Sequence, residues 1–307
     1  MNSDDAPSFR PLTGIYEPSA IQQLADGRFL VVEDEKEHPL SVVTIGADGT
    51  VKSEALTAGL LQIFSFFWTL DDLEGLAADR EGFVYGITSH SRDDGGDSKK
   101  SREKLVRFRV EGDRVRDPKV VDGLKKALTT QHPVLAAAAL VRDVKGDGGL
   151  NIEALEITPD QTRLLIGLRS PLHDGRALVA SIENPRAIFE LSEEPRIAPA
   201  LEELDLGGHG IRGMSYVPVL GAYLVISGPA SREPADFALW RWSGVPGAAA
   251  QRMTVDGLRG FAKAEGVSAA VIDGAERIVI VSDDGNRRTG SAAGYLLIDP
   301  LQLRAAS

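Results

Sequence analysis

One charged side chain recurs in five short apolar segments that are spread along the whole chain. The segments cover residues 16–20, 73–77, 152–156, 211–215 and 264–268, and their charged residues are Glu17, Glu74, Glu153, Arg212 and Glu265. Each charge precedes a strand-like run rich in Val, Ile and Leu by about the same distance. If the segments lie around one axis, these carboxylates converge and must either take up protons or bind a cation.

Calcium is the cation that such a ring predicts. It prefers about six to eight oxygen ligands from carboxylates, carbonyls and water. The chain has no cysteine and the ring has no histidine, which makes zinc a poor fit. We therefore expect Ca2+ as the cofactor, held by Glu17, Glu74, Glu153 and Glu265. The alternative is structural, with each glutamate accepting hydrogen bonds from backbone amides of the neighbouring repeat and joining the repeats together.

Loops that follow the strand-like runs contain further groups that chemistry uses. We expect them to bind an anionic small molecule, such as a phosphorylated one, because arginine forks match phosphate oxygens. The residues expected to bind it are Ser89, Arg92, Ser170, Arg212 and Arg287. The expected catalytic residues are Glu74, His90, Arg169 and Asp283. His90 would act as a general acid or base near neutral pH, although a single loop histidine is usually without function.

These groups need a scaffold that brings five repeats to one axis. Self-similarity over several tens of residues, with strands inside each repeat, is typical of a β-propeller. The expected fold is therefore all-β, a propeller of five blades, with six blades as the alternative. Each blade would be a four-stranded meander, and residues 177–182 and 187–190 are the expected outer strands of blade three. The last blade lacks a fourth strand, which residues 8–12 can supply by pairing of the two chain ends.

Two segments interrupt the repeat, at about 59–71 and 122–149, within a single expected domain of residues 1–307. The first is aromatic, and the second contains an alanine-rich stretch that Pro133 opens as a short helix. Both are expected on the face where the innermost strands begin. They would either cover the channel mouth as a lid or pack against the side of the propeller.

Composition restricts the partners and the location. The net charge of -11 is not offset by a face rich in Lys and Arg, which argues against nucleic acid as a partner. No apolar run is long enough to span a bilayer, so a membrane partner is not expected. The first residues have neither the basic nor the apolar region of a signal peptide, and the cytoplasm is the expected location.

Several motifs carry a resemblance to known families. The chain resembles an uncharacterised bacterial family, a domain of unknown function, across nearly its whole length. The motifs that carry this resemblance are Leu-Glu-Gly-Leu-Ala at 73–77, Ser-His-Ser-Arg at 89–92, Asn-Ile-Glu-Ala-Leu at 151–155, Gly-Ile-Arg-Gly at 210–213 and Ser-Asp-Asp-Gly at 282–285. More remotely, the Glu-Gly-Leu segments resemble esterase-like phytase domains. The five-blade pattern is similar to calcium-activated nucleotidases (apyrases). That resemblance implies a central calcium at the four ring glutamates, with Ser19 and Ser215 as contributors.

Together these features predict a calcium-dependent hydrolase of a phosphate ester or anhydride, with its site at the mouth of the propeller channel. In this hypothesis the cation polarises the phosphoryl oxygen, arginines neutralise charge and a carboxylate accepts the proton. The alternative is a non-catalytic propeller that binds a small molecule or a protein on the same face, with a structural cation. A lactonase-like hydrolase is a further alternative.

Overall fold

Five antiparallel sheets form the blades of a β-propeller in the computed structural model. The structure describes residues 7–33, 39–57, 66–234, 236–261 and 263–306. Most of the predicted 59–71 insertion therefore lies outside the described residues, as does the loop of residues 34–38. The prediction of an all-β propeller with five blades is confirmed.

The strands follow one another in chain order, and each blade begins with its innermost strand. A short strand, β1 (Arg10–Pro11), precedes the first blade. Blade one contains β2 (Pro18–Gln23), β3 (Phe29–Glu33), β4 (Leu40–Ile45) and β5 (Val51–Ala55). Blade two contains β6 (Leu73–Ala78), β7 (Val84–Thr88), β8 (Leu105–Glu111) and β9 (Arg114–Val121). Blade three contains β10 (Asn151–Ile157), β11 (Leu164–Ser170), β12 (Ala177–Ile182) and β13 (Glu202–Leu204).

The last two blades include both ends of the chain. Blade four contains β14 (Gly210–Val217), β15 (Ala222–Gly228), β16 (Ala238–Trp242) and β17 (Gln251–Val255), and blade five contains β18 (Ala264–Ile272), β19 (Ala275–Ser282) and β20 (Gly294–Ile298). In blade five β1 pairs with β20 and supplies the fourth strand, which confirms the predicted pairing of the two ends. A last strand, β21 (Leu303–Ala305), pairs with β17 and adds an unpredicted fifth strand to blade four.

The expected strand at residues 187–190 is wrong, because these residues lie in a helix. The helices are α1 (Leu124–Gln131), α2 (Pro133–Leu140), α3 (Val144–Asp147) and α4 (Pro185–Leu191). Pro185 occupies the first turn of α4, where its missing N–H costs nothing, and Arg186 pairs with Glu190 one turn later. The fourth strand of blade three is instead β13.

The core lies between the faces of neighbouring blades. Leu30 of blade one, for example, belongs to the same buried cluster as Leu76 and Val106 of blade two. Helices α1 and α2 bury Leu128 and Leu135 in the cluster between blades two and three. This part of the 122–149 segment therefore packs against the propeller side. None of the helices in the described ranges has the length and apolar character needed to span a bilayer.

Glu156 joins blades three and four from a buried position on β10. One carboxylate oxygen accepts a hydrogen bond from the N–H of Tyr216 at 2.9 Å, and the other accepts one from the N–H of Ile157 at 2.7 Å. Burial raises the pKa of Glu156 to about 7, although these amides and Ser215 favour the carboxylate. The folded state therefore holds a proton here at pH values where an unfolded glutamate has lost it.

This shift predicts a pH-dependent stability. Because the folded-state pKa lies above the ordinary 4.5, the free energy of unfolding should fall as pH rises between the two values. In Glu156→Gln this slope should become shallower. The free energy of unfolding of the variant should also be about 1–3 kcal/mol lower at pH near 5, because one backbone N–H loses its acceptor. Urea unfolding at several pH values measures both effects, with exposed Glu54→Gln as the control. If the free energy of unfolding depended on pH with the same slope in Glu156→Gln, the raised pKa could not belong to Glu156.

Candidate functional site

The innermost strand of every blade carries a β-bulge at the same position. The register shifts lie between Pro18 and Ala20, Leu73 and Gly75, Ile152 and Ala154, Ile211 and Gly213, and Ala264 and Gly266. The extra residues are Ser19, Glu74, Glu153, Arg212 and Glu265. A bulge leaves one residue unpaired in the ladder and re-aims its side chain. Glu17 is therefore not the equivalent of the other ring residues, and blade one places Ser19 there instead.

Small residues after the bulges allow the innermost strands to approach one another. A Cβ atom on Gly213 would lie 2.2 Å from the backbone oxygen of Glu265 on the neighbouring blade. A Cβ atom on Gly75 would lie 2.8 Å from the backbone nitrogen of Leu155. Both distances are far below van der Waals contact, so a side chain at either position would push two blades apart.

A polar cavity of about 360 Å³ opens at the channel mouth above this ring. Its floor includes Ser19, Glu74, Glu153 and Glu265, which also line a channel of only about 10 Å³ beneath it. The channel is thus too narrow to admit a ligand. Residues 142–145, which follow α2, lie at the cavity and not at the propeller side. Arg232 of blade four holds this segment through an ion pair of 2.7 Å with Asp143 and a backbone bond of 2.9 Å to Lys145.

Charges are separated around the cavity. Blades five and one contribute an acidic wall, which we define as Glu17, Glu265 and Asp283. Blades two to four and the segment after α2 contribute a basic wall, defined as Arg92, Arg142, Lys145 and Arg232. Carboxylates line the cavity on this side as well, and they are Asp72, Glu74, Asp93, Asp94, Asp143 and Glu153. Asp93 is paired with Lys99 at 3.2 Å and Asp143 with Arg232, while Arg142 is paired with Asp97 at 3.4 Å. Among the described residues, every cation that lines the cavity therefore lies on blades two to four or in the segment after α2, whereas the charged groups from blades five and one are all carboxylates.

Ion pairs connect three blades at the floor. The Arg212 Nε atom lies 2.6 Å from Glu265 Oε2 and 2.9 Å from Glu153 Oε2, and a second guanidinium nitrogen also donates to Glu265. Glu153 Oε1 accepts hydrogen bonds from Arg169 at 3.0 Å and from Asn151 at 2.9 Å. Glu153 thus contacts two arginines, whereas Glu265 contacts one. The side chain of Glu153 is only 5% exposed, so these pairs are shielded from water.

Two carboxyl groups of the acidic wall have raised pKa values. Burial, together with the charges of Glu153 and Asp283, raises the pKa of Glu265 to about 7 in spite of Arg212. Burial also raises the pKa of Asp283, and the neighbouring Lys263 only partly opposes this. Burial alone would lower the pKa of Arg212, but Glu153 and Glu265 outweigh it and raise that pKa. One guanidinium is shared by two glutamates, and the raised pKa of Glu265 lies near neutral pH.

Eight of the residues proposed from sequence line the cavity: Glu17, Glu74, Arg92, Glu153, Arg169, Arg212, Glu265 and Asp283. Four others do not: Ser89, His90, Ser170 and Arg287. Ser170 donates to the carbonyl of Gly149 at 2.6 Å, and Ser89 donates to Ser91 at 2.9 Å. Arg287 lies 3.3 Å from Glu33 and stacks over Tyr16.

His90 is completely buried and cannot be reached from the cavity. Its Nδ1 donates to the carbonyl of Thr88 at 2.8 Å, and its Nε2 has no hydrogen-bond partner among the described residues. Burial lowers the pKa of His90 to about 4, so the ring is neutral at physiological pH. This geometry gives no support to the predicted acid or base role.

Sequence spacing missed residues that stand two positions before the bulges. Asp72 and Asn151 occupy this position in blades two and three, as Glu17 does in blade one, and all three line the cavity. Asp72 forms an ion pair of 3.2 Å with Arg102. Comparing the residues that stand two positions before the bulge in each repeat would have found these cavity-lining side chains. Ser215, the other residue implied by resemblance, is buried at the blade interface and accepts from the N–H of Ala269.

The residues present fit a calcium site poorly. Among the described residues, no three carboxylate or imidazole side chains are grouped so that they could hold a metal ion. Arg212 occupies carboxylate oxygens of Glu153 and Glu265 that a metal would need. Calcium stays a prediction, and it would require Arg212 to release at least one of these groups.

Replacing Arg212 tests the ion-pair network. Arg212→Gln leaves two buried carboxylates without their shared cation, and breaking such a buried pair costs about 3–5 kcal/mol. The loss should be smaller at pH about 5.5 than at about 8, because Glu265 then takes up a proton. Urea unfolding at both pH values measures this, with exposed Arg252→Gln as the control. An equal loss at both pH values would contradict the assignment of the raised pKa to Glu265.

Calcium can be tested on the same pair of proteins. If Arg212 blocks the site, calcium and chelator should give the wild type the same melting temperature. Arg212→Gln should gain stability from calcium, because a ligand that binds only the folded state stabilises it, by about 2.7 kcal/mol at a hundredfold excess over its dissociation constant. Calcium stabilisation of the wild type would show that Arg212 yields to the metal.

Solved structures that are similar to this chain have low sequence identity with it. A putative glucose dehydrogenase from Thermus thermophilus is 16% identical, with 95% of this chain and 100% of that chain covered and a TM-score of 0.46. The PQQ-bound aldose sugar dehydrogenase of Streptomyces coelicolor is 14% identical, with 97% and 98% covered and a TM-score of 0.46. An exo-β-1,3-galactanase from Phanerochaete chrysosporium is 10% identical, with 95% and 64% covered and a TM-score of 0.50. At such identities the likeness concerns the fold alone.

Sequence comparison places the chain in a family. No curated protein matches it. The family model described as "Protein of unknown function (DUF3616)" matches residues 114–293, which is more than half of the 307 residues. This agrees with the resemblance to an uncharacterised family in the sequence motifs, and the chain belongs to the DUF3616 family.

Proposed function

We propose that the mouth cavity binds a small anionic molecule and hydrolyses an ester or anhydride bond in it, most simply a phosphate ester or anhydride. The observation that carries this proposal is the composition of one small cavity. It combines two cationic side chains, Arg92 and Lys145, that have no ion pair with a described carboxylate, with two carboxyl groups, Glu265 and Asp283, whose pKa values lie above their ordinary range. The first can bind an anion, and the second can transfer protons.

Arg92 and Lys145 of the basic wall are the residues proposed to bind the anion. Arg92 donates to the carbonyl oxygens of Ala139 at 3.2 Å and Gly96 at 3.1 Å, which orient the guanidinium without cancelling its charge. Lys145 is exposed and has no ion pair within the described part of the chain. Both are free to form charge-assisted hydrogen bonds with phosphate or carboxylate oxygens.

Glu265 is the proposed general acid or base. A catalytic group works best when its pKa lies near the working pH, and the pKa of Glu265 is about 7. Asp283 contributes to this raised value and is the second candidate for proton transfer. The predicted catalytic residues Glu74 and Arg169 also line the cavity, where Arg169 can neutralise charge that develops on a substrate.

A non-catalytic binding protein is the second candidate, and one observation favours it. The Glu153–Arg212–Glu265 contacts span blades three, four and five, so a purely structural reason for these buried charges exists. In that case the cavity would bind a ligand without turnover.

Enzyme assays distinguish the two candidates. Phosphomonoesters, phosphodiesters, nucleotides, phytate and lactones should be screened with and without divalent cations. We expect turnover of at least one anionic class, with a pH profile that changes near 7. Glu265→Gln should lower turnover at least about 100-fold, the lower range for acid–base catalysis, while the exposed control Asp113→Asn leaves it unchanged. Ligand binding without turnover in every class would favour the binding protein.

A further inference from the structure

We infer that the ligand of the mouth cavity is a small zwitterion, with a primary ammonium group at the acidic wall and a phosphate or carboxylate at the basic wall. This inference rests on the proposed function for the anionic group and adds the second, cationic group. The observation behind it is the uneven distribution of charge: blades five and one line the cavity with carboxylates and no described cation, whereas all of its lining cations come from blades two to four and the segment after α2.

Two carboxylates of the acidic wall are available to a cation. Glu17 and Asp283 are only partly exposed, and the structure gives neither side chain a hydrogen bond or ion pair to a described residue. Blades five and one are neighbours, because β18 packs directly against β2. Glu265 lies in the same wall, but Arg212 already engages it. Lys263 and Arg212 act on Asp283 through their charge but form no hydrogen bond with its carboxylate, so the carboxylate oxygens of Glu17 and Asp283 can accept from a cationic ligand group.

An ammonium group suits this wall better than a metal ion or a quaternary amine. The described carboxylates do not group into a metal site, whereas an ammonium donates three separate hydrogen bonds to acceptors spread over a wall. Quaternary amines are recognised by aromatic faces, and none of the described residues that line the cavity is aromatic. Pro18 and Val144 are the only apolar residues that line it in the described ranges.

Size limits the ligand further. A volume of about 360 Å³ corresponds to roughly a dozen water molecules in the liquid. Both walls border this one cavity, so a short molecule can contact the two together. A larger, uniformly anionic molecule would place negative charge against Glu17 and Asp283, which is unfavourable.

Isothermal titration calorimetry with phosphoethanolamine and its two halves, methyl phosphate and ethanolamine, tests the inference. Phosphoethanolamine should bind at least about tenfold more tightly than either half, and more tightly than phosphocholine, its quaternary analogue. Equal affinity for methyl phosphate and phosphoethanolamine would overturn the inference, as would an absence of binding by all four probes. Equal affinity for ethanolamine and phosphoethanolamine would also overturn it and would remove the anionic group from the proposed function.

Three variants test which wall binds which group. Lys145→Gln should weaken phosphoethanolamine and methyl phosphate by the same factor and leave ethanolamine unchanged. Glu17→Gln should weaken phosphoethanolamine and ethanolamine and leave methyl phosphate unchanged, and Asp283→Asn should repeat that pattern. Exposed Lys52→Gln is the control for the loss of one positive charge. Uniform weakening of all probes by each variant would contradict the two-wall arrangement. Hydrolysis is scored separately, so zwitterion binding without turnover would reject the proposed function alone.

Discussion

The close approach of five innermost strands is the constraint on which the rest of this structure depends. Each strand carries a bulge that directs one side chain to the axis, and a glycine or alanine follows the bulge where the next blade comes near. The polar ring and the tight packing are therefore consequences of the same local backbone distortion. A bulky residue at Gly213 would disturb both at once, because its side chain would meet the backbone of Glu265.

The buried ionisable groups on these bulges need partners of opposite charge, and the chain supplies these partners unevenly. Glu153 receives two arginines, Arg169 and Arg212, whereas Glu265 shares Arg212 and also faces Asp283. Two carboxyl groups of the same type thus acquire different numbers of arginine partners. The same imbalance makes the floor sensitive to pH whether or not a reaction occurs there.

Much of the fold could be predicted from the sequence, because repeated strand patterns report directly on the blades. The chain ends were also predictable, since the last blade visibly lacked a strand that residues near Arg10 could supply. The ring was harder to predict. Spacing alone aligned Glu17 with the other charges, while the hydrogen-bond register selects Ser19. Register depends on pairing between strands, which sequence spacing does not report.

The contacts that each charged or polar side chain makes in the fold could not be predicted from the sequence either. Arg169 appeared in the sequence as a loop residue beside a serine and a proline, yet in the fold it reaches Glu153 and the carbonyl of Pro229. His90 stood in an equally promising loop, but the fold encloses it completely. Both outcomes are set by contacts between residues distant in sequence, so a list of reactive side chains overestimates how many can act together.

The rim and the floor of the cavity are built under different constraints. Floor residues sit on strands whose packing tolerates little change, whereas Arg92, Lys145 and Arg232 stand on connections outside the sheets. Loops accept substitutions and insertions more readily than the strands they join. Substitutions on these connections can therefore alter the charge of the rim while the floor residues and their ion pairs persist. The composition of the rim can thus vary independently of the strand packing that fixes the floor.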